Sequence, residues 1–415
     1  MAASLWRNRR FTAFWAGETV SHFGDRISEL ALPLIAVTML AATPAEVGLL
    51  TAAIWAPSLL SVLVGTWVDQ RIHRKRLLVA ADLLRAAALL SLPIAYWCGI
   101  LRLPQLFAVA LLTGAGQVLF HCSYPSFFVT LVSRDQYVDA NSKLNTSRSV
   151  SFVAGPAAGG FLVQALTAPV AILADAVSFL ASALFIARIP APPGTAGTRT
   201  SLAADIRAGL RYVLGHPYLR AALACVTTVN FFGFVAQALV ILYASRELGL
   251  PASMIGLAFG TGAVGAAAGA VIAPRLSARF GIGRMIIVGV VLFPAPTALI
   301  ALAGGPDGAI AATIAVAEAI SGAAVMLLDI NLNSVQTAVI ADDMRSRVAG
   351  VFGTINYGAR PVGAAIGGLL GSGLGLRPTL LIAAAGGTMG CLWLLRSPIP
   401  RLRTLDTLTP HPAGR

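Results

Sequence analysis

Residues 65–76 read Gly65-Thr-Trp-Val-Asp69-Gln-Arg71-Ile-His-Arg74-Lys75-Arg76 and place a dense group of charges between two apolar stretches. The stretch before it is Val47–Val68, and the stretch after it is Leu77–Cys98. Each is as long as the ~20 apolar residues that a helix needs to cross the hydrocarbon core of a bilayer. This part of the sequence therefore predicts two membrane-spanning helices joined by a short charged turn.

The composition extends this prediction to the whole chain. Hydrophobic residues make up 57% of the 415 residues and charged residues 11%, whereas a soluble domain carries about 25% charged residues. We therefore predict an all-α membrane protein with twelve spanning helices. Their predicted positions are Phe11–Leu40, Val47–Val68, Leu77–Cys98, Gln105–Leu131, Ser142–Leu166, Pro169–Arg188, Leu219–Ala244, Ser253–Ala273, Met285–Ala303, Ala309–Val339, Val348–Gly371 and Thr379–Leu395.

The two halves of the chain are related to each other. Gly65–Arg76 follows the second predicted helix, and the similar stretch Gly269–Arg279 follows the eighth, 204 positions later. Gly155–Gly160 in the fifth helix resembles Arg360–Gly368 in the eleventh, 205 positions later. Two matches at nearly one offset indicate a parallel repeat of six helices. The predicted domains are a bundle at 1–188, a cytoplasmic linker at 189–218, a bundle at 219–396 and a cytoplasmic tail at 397–415.

The net charge of +13 is unevenly distributed. Of the 30 basic residues 28 are arginine, and most of the 30 fall in the two tails and in alternate connections between the predicted helices. The remaining connections hold only Arg102, Arg246 and Arg377. By the positive-inside rule this places both termini in the cytoplasm, and we expect the inner (plasma) membrane of a bacterium. No soluble face is available to carry a basic patch, so we predict no nucleic-acid partner.

Residues 65–76 match G-x-x-x-D-x-R-x-x-R-[KR], the signature of the major facilitator superfamily, which the chain resembles over nearly its whole length. The opening segment, with Phe11, Trp15, Gly17 and Gly24-Asp25, is similar to the branch that contains macrolide-efflux pumps and siderophore exporters. The resemblance implies two pseudo-symmetric six-helix bundles and a monomeric secondary transporter. It also implies a cytoplasmic gating motif at Gly65, Asp69, Arg71, Arg74 and Lys75.

The fifth predicted helix carries a second resemblance. Its Gly155-Pro156-Ala-Ala-Gly159-Gly160 stretch looks like the end of the motif that the superfamily associates with antiporters. Upstream, where that motif has glycine, this chain has Ser142 and Ser151.

Charged and polar residues inside spanning helices are costly and mark functional positions. They fall on one face of each of four helices. These are Glu18, His22, Asp25 and Glu29 on the first; Gln117, His121 and Tyr124 on the fourth; Asn230 and Gln237 on the seventh; and Glu318, Asp329, Asn333 and Gln336 on the tenth. We expect the third, sixth, ninth and twelfth helices to be nearly free of charge at mid-helix.

The resemblance implies that the first, fourth, seventh and tenth helices line a central cavity, so we predict that these polar faces contact substrate. A carboxylate partly withdrawn from water can bind and release a proton. As candidates we rank Asp25 first, followed by Glu18, Glu29, Asp329 and Glu318, with His22 on the same face. We further predict that Arg26 pairs with Glu29 or Asp25, and that Asp82 and Arg85 pair with each other or with lipid headgroups.

The leading functional prediction is efflux of amphipathic small molecules by proton antiport. A proton-coupled nutrient importer and a transporter-like receptor or sensor are the alternatives. An ATPase would need G-x-x-x-x-G-K-[ST], and neither Lys75 nor Lys143 follows a glycine. The five histidines are scattered and the four cysteines lack a C-x-x-C spacing. We therefore predict no enzyme activity, no cofactor and no metal site.

Overall fold

The computed structural model describes residues 5–69, 71, 73–133, 136–190, 202–341 and 344–405. Across these residues the regular secondary structure is helical, without strands, which confirms the predicted all-α fold class. The helices are α1 (Arg9–Leu34), α2 (Pro44–Trp55), α3 (Ser61–Asp69), α4 (Arg74–Trp97), α5 (Leu103–Phe128), α6 (Tyr137–Leu166), α7 (Ala168–Ala187), α8 (Leu202–Gly215), α9 (Pro217–Leu242), α10 (Ala252–Phe280), α11 (Ile282–Leu292), α12 (Thr297–Ala301), α13 (Asp307–Val339), α14 (Arg345–Leu374), α15 (Leu376–Met389) and α16 (Cys391–Leu395).

Ten helices or helix series in the described ranges are long and apolar enough to cross a membrane. The other two predicted spans, Phe11–Leu40 and Val348–Gly371, coincide with α1 and α14. Both helices are long enough to cross, but α1 carries several charges and α14 combines Arg360 with many glycines. The count of twelve spans therefore stays a prediction.

Prolines and caps explain where the helices break. Thr43 caps α2 through a reciprocal pair of hydrogen bonds with Glu46, an arrangement that satisfies free donors at a helix start. The predicted span Val47–Val68 is divided into α2, a 3-10 segment and α3 around Pro57. A proline removes one helical hydrogen bond and crowds the preceding turn, so this span continues in a changed helical geometry.

The chain divides into two compact units. Unit 1 comprises Met1–Thr198 and Leu250–Gly260, and unit 2 comprises Arg199–Gly249 and Thr261–Arg415. In unit 1, α7 packs against α1 and α4, and α6 packs against α1. In unit 2, α14 and α15 pack against α9, and α11 packs against α13.

The segment predicted as linker contains one described helix, α8, which belongs to unit 2. Tyr212 of α8 is buried and donates to the main-chain oxygen of Val339 at 3.1 Å. Its hydroxyl oxygen accepts from the amide of Ala341 at 3.2 Å. These bonds hold α8 to the end of α13. The rest of the linker at 191–201 and the tail from 406 onward lie outside the described residues.

Candidate functional site

The polar face of α1 enters the packed interior of unit 1. Glu18 is buried, His22 and Asp25 are half-buried, and Glu29 is exposed. Nε2 of His22 lies 3.7 Å from Oε2 of Glu18. Nη1 of Arg26 donates to Oε2 of Glu29 at 2.6 Å, so Arg26 pairs with one of its two predicted partners. Glu18 is therefore the carboxylate of this face that packing removes furthest from solvent.

A buried ion pair lies beside Glu18 on α4. Nη2 of Arg85 donates to Oδ1 of Asp82, and both side chains are almost completely buried. The guanidinium carbon of Arg85 also lies 4.0 Å from the ring centroid of Phe179 and 5.0 Å from that of Phe120. Asp82 and Arg85 thus pair with each other, which was one of the two predicted arrangements, and their charges act on Glu18.

A further buried carboxyl group, Asp175 on α7, is only 1% exposed. Ser28 of α1 donates to its Oδ2 atom, and the hydroxyl of Ser178 lies 3.2 Å from its Oδ1 atom. Glycine at position 24 leaves room for this carboxyl group, because a Cβ atom there would lie 2.9 Å from the Cα atom of Asp175. The carboxyl group is thus enclosed between the backbones of α1 and α7.

The expectation that the third and sixth predicted helices are nearly free of mid-helix charge is wrong. Those helices are α4 and α7, and they carry the buried Asp82–Arg85 pair and Asp175. Asp175 is a lone acid in an apolar stretch, so polar periodicity did not single it out. The signal that could have found it is the spacing of Ser178 and Ser182, which share a helix face with Asp175.

The polar face predicted on the fourth span belongs to α5 and divides into two environments. Gln117 is half-buried and His121 is exposed. The ring of Tyr124 is half-buried and stacks on Phe128 at a centroid distance of 5.8 Å, with Phe14 at 5.6 Å. Tyr124 therefore contributes to aromatic packing inside unit 1, whereas His121 offers an accessible polar group.

The polar candidates of unit 2 are spread along its helices. The amide of Asn230 donates to Val226 of its own helix at 3.0 Å, and Gln237 is exposed. On α13, Glu318 is half-buried beside Gly262, where a Cβ atom would lie 3.3 Å from its Oε2 atom. Asp329 is exposed and lies about three helical turns further along α13.

The C-terminal part of α13 carries three side-chain amides, one of which has a structural role. Asn333 is exposed and Gln336 is half-buried. The buried amide is that of Asn331, which sequence analysis did not single out. It accepts a hydrogen bond from Ser277 at 2.7 Å and donates to Leu327 at 2.8 Å. Asn331 therefore joins α13 to α10, and Asn333 and Gln336 lie away from that contact.

Arg360 of α14 is held by aromatic rings. Its guanidinium carbon lies 4.5 Å from the ring centroid of Tyr357 and 5.1 Å from that of Phe234. Such stacking is a common environment for arginine because the ring faces carry negative potential. Unit 2 thus accommodates a cation inside an apolar helix through π-systems.

The gating motif begins in α3 and continues into α4. Gly65 is half-buried, and the guanidinium of Arg71 lies 4.5 Å from the ring centroid of Trp67. Arg74 opens α4, and Nζ of Lys75 donates to the main-chain oxygens of Ala187 and Ile189 at 3.1 and 2.9 Å. Lys75 therefore occupies the carbonyl-rich end of α7. The side chain of Asp69, the acidic member of the predicted gating motif, lies outside the described residues.

The motif of the fifth predicted helix lies in α6 and has two packed faces within unit 1. Cβ atoms at Gly155 and Gly159 would meet α1, at the side chain of Arg26 and, 3.2 Å away, at the Cα atom of Ile27. A Cβ atom at Gly160 would lie 2.5 Å from the main-chain oxygen of Ala252, in the first part of α10. These glycines therefore permit close approach on both sides of α6.

Long apolar helices in two units, with titratable groups buried among them, define the class of a multi-pass membrane transporter. The profile of the transmembrane secretion effector family matches residues 2–413, so the chain belongs to this family of the major facilitator superfamily. Among its relatives, the multidrug efflux pump Tap of Mycobacterium tuberculosis is 26% identical to this chain, and the match covers 92% of this chain and 91% of Tap. The MFS-type transporter YfiS of Bacillus subtilis is 24% identical over 95% and 93%.

Solved structures share the fold at lower identity. A bacterial homologue of the iron transporter ferroportin superimposes with a TM-score of 0.75 at 15% identity, covering 95% of this chain and 99% of that one. A bacterial homologue of the lysosomal transporter Spinster gives a TM-score of 0.72 at 14% identity, covering 95% and 97%. These structures confirm the superfamily fold.

Proposed function

We propose that this protein is a secondary active transporter that exports amphipathic small molecules, such as drugs, natural products or siderophores, in exchange for protons. The observation that carries the proposal is a group of titratable side chains inside unit 1: Glu18, Asp82, Arg85 and Asp175 are buried, and Asp25 is half-buried. Buried ionisable groups in membrane helices are costly and are kept where they serve transport. The similarity to a pump named for multidrug efflux supports the export direction.

In this proposal the acidic excess of unit 1 binds the coupling proton. The charges of Asp82 and Asp25 repel that of Glu18, and those of Arg85 and Arg148 attract it, so protonation of one carboxylate removes repulsion among the others. Asp25 and Glu18 are the proposed exchange groups on α1, with His22 and Glu29 on the same face. Glu318 and Asp329 are the candidates in unit 2.

The remaining predicted residues have supporting roles. We assign substrate contact to Gln117, His121, Tyr124, Asn230, Gln237, Asn333 and Gln336. The gating motif stabilises one state of the alternating-access cycle, and the α6 glycines allow helices to slide. The protein acts by transport rather than catalysis, as a monomer in the bacterial inner membrane, with both termini cytoplasmic.

The test is expression in a bacterial host that lacks its own pumps, followed by challenge with a panel of antibiotics, dyes and siderophores. We expect lower intracellular accumulation of at least one compound, and loss of this effect when a protonophore collapses the proton gradient. Asp25→Asn and Glu18→Gln should abolish the gradient-driven part. Glu247→Gln, which changes an exposed carboxylate after α9, is the matched control. Increased uptake would instead indicate an importer, and no change in any compound would contradict the proposal.

A further inference from the structure

The interface between α1 and α7 is built from small and polar side chains. Asp175, Ser178 and Ser182 share one face of α7 and are all buried. Opposite them, Cβ atoms at Gly24 and Gly17 would lie 2.9 Å and 3.2 Å from the Cα atoms of Asp175 and Ser182. The two backbones are therefore close enough to leave the Asp175 carboxyl group enclosed by protein.

The hydrogen bonds around Asp175 indicate its protonation state. Ser28 donates its hydroxyl proton to Oδ2. The hydroxyl of Ser178 donates to the main-chain oxygen of Asp175 at 2.7 Å and lies 3.2 Å from Oδ1. A serine hydroxyl has a single proton to donate, and the shorter bond to the carbonyl uses it. The Ser178 hydroxyl then has no proton left for Oδ1 of Asp175. A hydrogen bond between these two oxygens forms when the Asp175 carboxyl group is protonated and donates its own proton to Ser178.

The charges around Asp175 agree with a neutral acid. Those that act on it most strongly are Asp25 from α1, which has the same sign, and Arg85 from α4. Arg85 is already paired with Asp82 and stacked on Phe179. Within the described ranges Asp175 takes part in no ion pair. An ionised carboxylate enclosed without a cation costs several kcal/mol, so a bound proton stabilises this arrangement.

We infer that Asp175 is the internal proton-binding site of the transport cycle and that Asp25, half-buried beside Gly24, exchanges that proton with the aqueous side. This inference rests on the proposed proton antiport. When α1 and α7 separate slightly, the O–H bond of Asp175 breaks and an O–H bond forms on the Asp25 carboxylate. Ser28 and Ser178 then both donate to the ionised Asp175. Reversal of the step reloads the site.

The first experiment needs no substrate. Infrared spectra of the purified full-length protein at neutral pH are compared with those of Asp175→Asn. We expect C=O stretching absorption from protonated carboxyl groups in the wild type and the loss of one component of this band in Asp175→Asn. Asp139→Asn removes an exposed carboxylate that is paired with Lys143 and should leave the band in place. If Asp175→Asn leaves the band unchanged, the inference is overturned.

The second experiment separates proton coupling from substrate movement in proteoliposomes, with a compound identified in the accumulation panel. Asp175→Asn should reduce transport driven by a pH gradient more than tenfold while keeping substrate counterflow, which requires no net proton movement. Equal gradient-driven transport by Asp175→Asn and wild type would overturn the inference alone. Absence of gradient-driven transport in the wild type would instead remove the proposed function.

A second variant, Ser28→Ala, is used in case Asp175→Asn does not fold. It retains the Asp175 carboxyl group and removes only one of its hydrogen-bond donors. The lost donor stabilised the ionised form, so release of the proton should require a higher pH. The pH dependence of gradient-driven transport should therefore move to higher pH. An unchanged pH profile in Ser28→Ala would contradict the assignment.

Discussion

The interface of α1 with α7 in unit 1 has a counterpart in the interface of α9 with α15 in unit 2. The positions 205 residues beyond Asp175, Ser178 and Ser182 are Leu380, Ala383 and Gly387, the same offset that relates Gly155 to Arg360. All three lie in the buried face of α15. There a Cβ atom at Gly386 would lie 2.5 Å from Cδ1 of Phe232 on α9. At the positions that correspond to the polar groups of unit 1, unit 2 thus has small or apolar residues, and an aromatic ring packs beside them.

This difference separates what the repeat preserves from what it does not. Both interfaces bring helices close together through small residues, because close packing is the main source of attraction between helices in lipid. The titratable groups are concentrated in unit 1, where Asp175, Asp82 and Glu18 are buried. Close helix packing is achieved both by the polar interface of unit 1 and by the apolar interface of unit 2. A buried acid is explained only by a role that a hydrocarbon side chain cannot perform.

The most direct test of this difference is to place an acid in the interface of unit 2. Leu380 is completely buried, and Leu380→Asp would put a carboxyl group among apolar neighbours without the serine donors that Asp175 has. We expect the free energy of unfolding to fall by about 3 kcal/mol and the yield of monodisperse protein after detergent extraction to fall strongly. The measurement is size-exclusion chromatography with thermal unfolding.

The reciprocal change, Asp175→Leu, is the matched control. This change removes the acid and leaves the buried hydroxyl of Ser28 without its acceptor, so it should lower the free energy of unfolding by about 1–3 kcal/mol and abolish proton coupling. If Leu380→Asp were as stable as the wild type, the two interfaces would tolerate acids equally and the contrast would fail.

A smaller effect is expected from adding one methyl group to each unit. In Gly24→Ala the new Cβ atom would overlap the Asp175 carboxyl and lie 2.9 Å from its Cα atom. Overpacking of this kind costs ~1–3 kcal/mol. In Gly233→Ala, 205 positions beyond Ser28, the Cβ atom would meet no atom within 4 Å. That variant should be neutral or gain up to about 1 kcal/mol from helix propensity. Equal melting temperatures for both variants would show that α1 and α7 are not in close contact at Gly24.

The polar face of α1 and the local pairs were predictable from sequence because their members lie three or four residues apart. That spacing is why the pairing of Arg26 with Glu29 and that of Asp82 with Arg85 could be stated in advance. Asp175 was missed for the opposite reason. Its partner Ser28 is 147 residues away, and helical periodicity carries no information about which face of another helix it will meet.

The fold was predictable from segment length and hydropathy, which require no knowledge of packing. The breaks inside spans were not foreseen, although Pro57 and the pair Pro294 and Pro296 mark two of them. The burial order along the α1 face was also not predictable. Glu18 is enclosed and Glu29 is exposed, although both share the same periodic face, because burial depends on where α6 and α7 pack along the helix.

The ends of the two units extend the comparison from the core to the helix termini. In unit 1 a charged group, Lys75, donates to the last carbonyls of α7. In unit 2 a neutral and buried group, Tyr212, bridges Val339 and Ala341 at the end of α13. A cation at a helix C-terminus gains from the helix dipole as well as from its hydrogen bonds, and salt screens that gain at accessible positions.

The smallest predicted effect follows from this contrast. Lys75→Met should lower the stability of unit 1 by about 0.5–1 kcal/mol at low ionic strength, and the loss should shrink as salt is added. Tyr212→Phe should cost ~1 kcal/mol at every salt concentration and should speed hydrogen exchange of the Ala341 amide, because neutral hydrogen bonds are not screened. Thermal unfolding of both variants across a salt series makes the measurement. A salt-independent loss in Lys75→Met would mean that Lys75 acts through hydrogen bonds alone. The contrast between the two units would then hold for the buried interfaces and not for the helix ends.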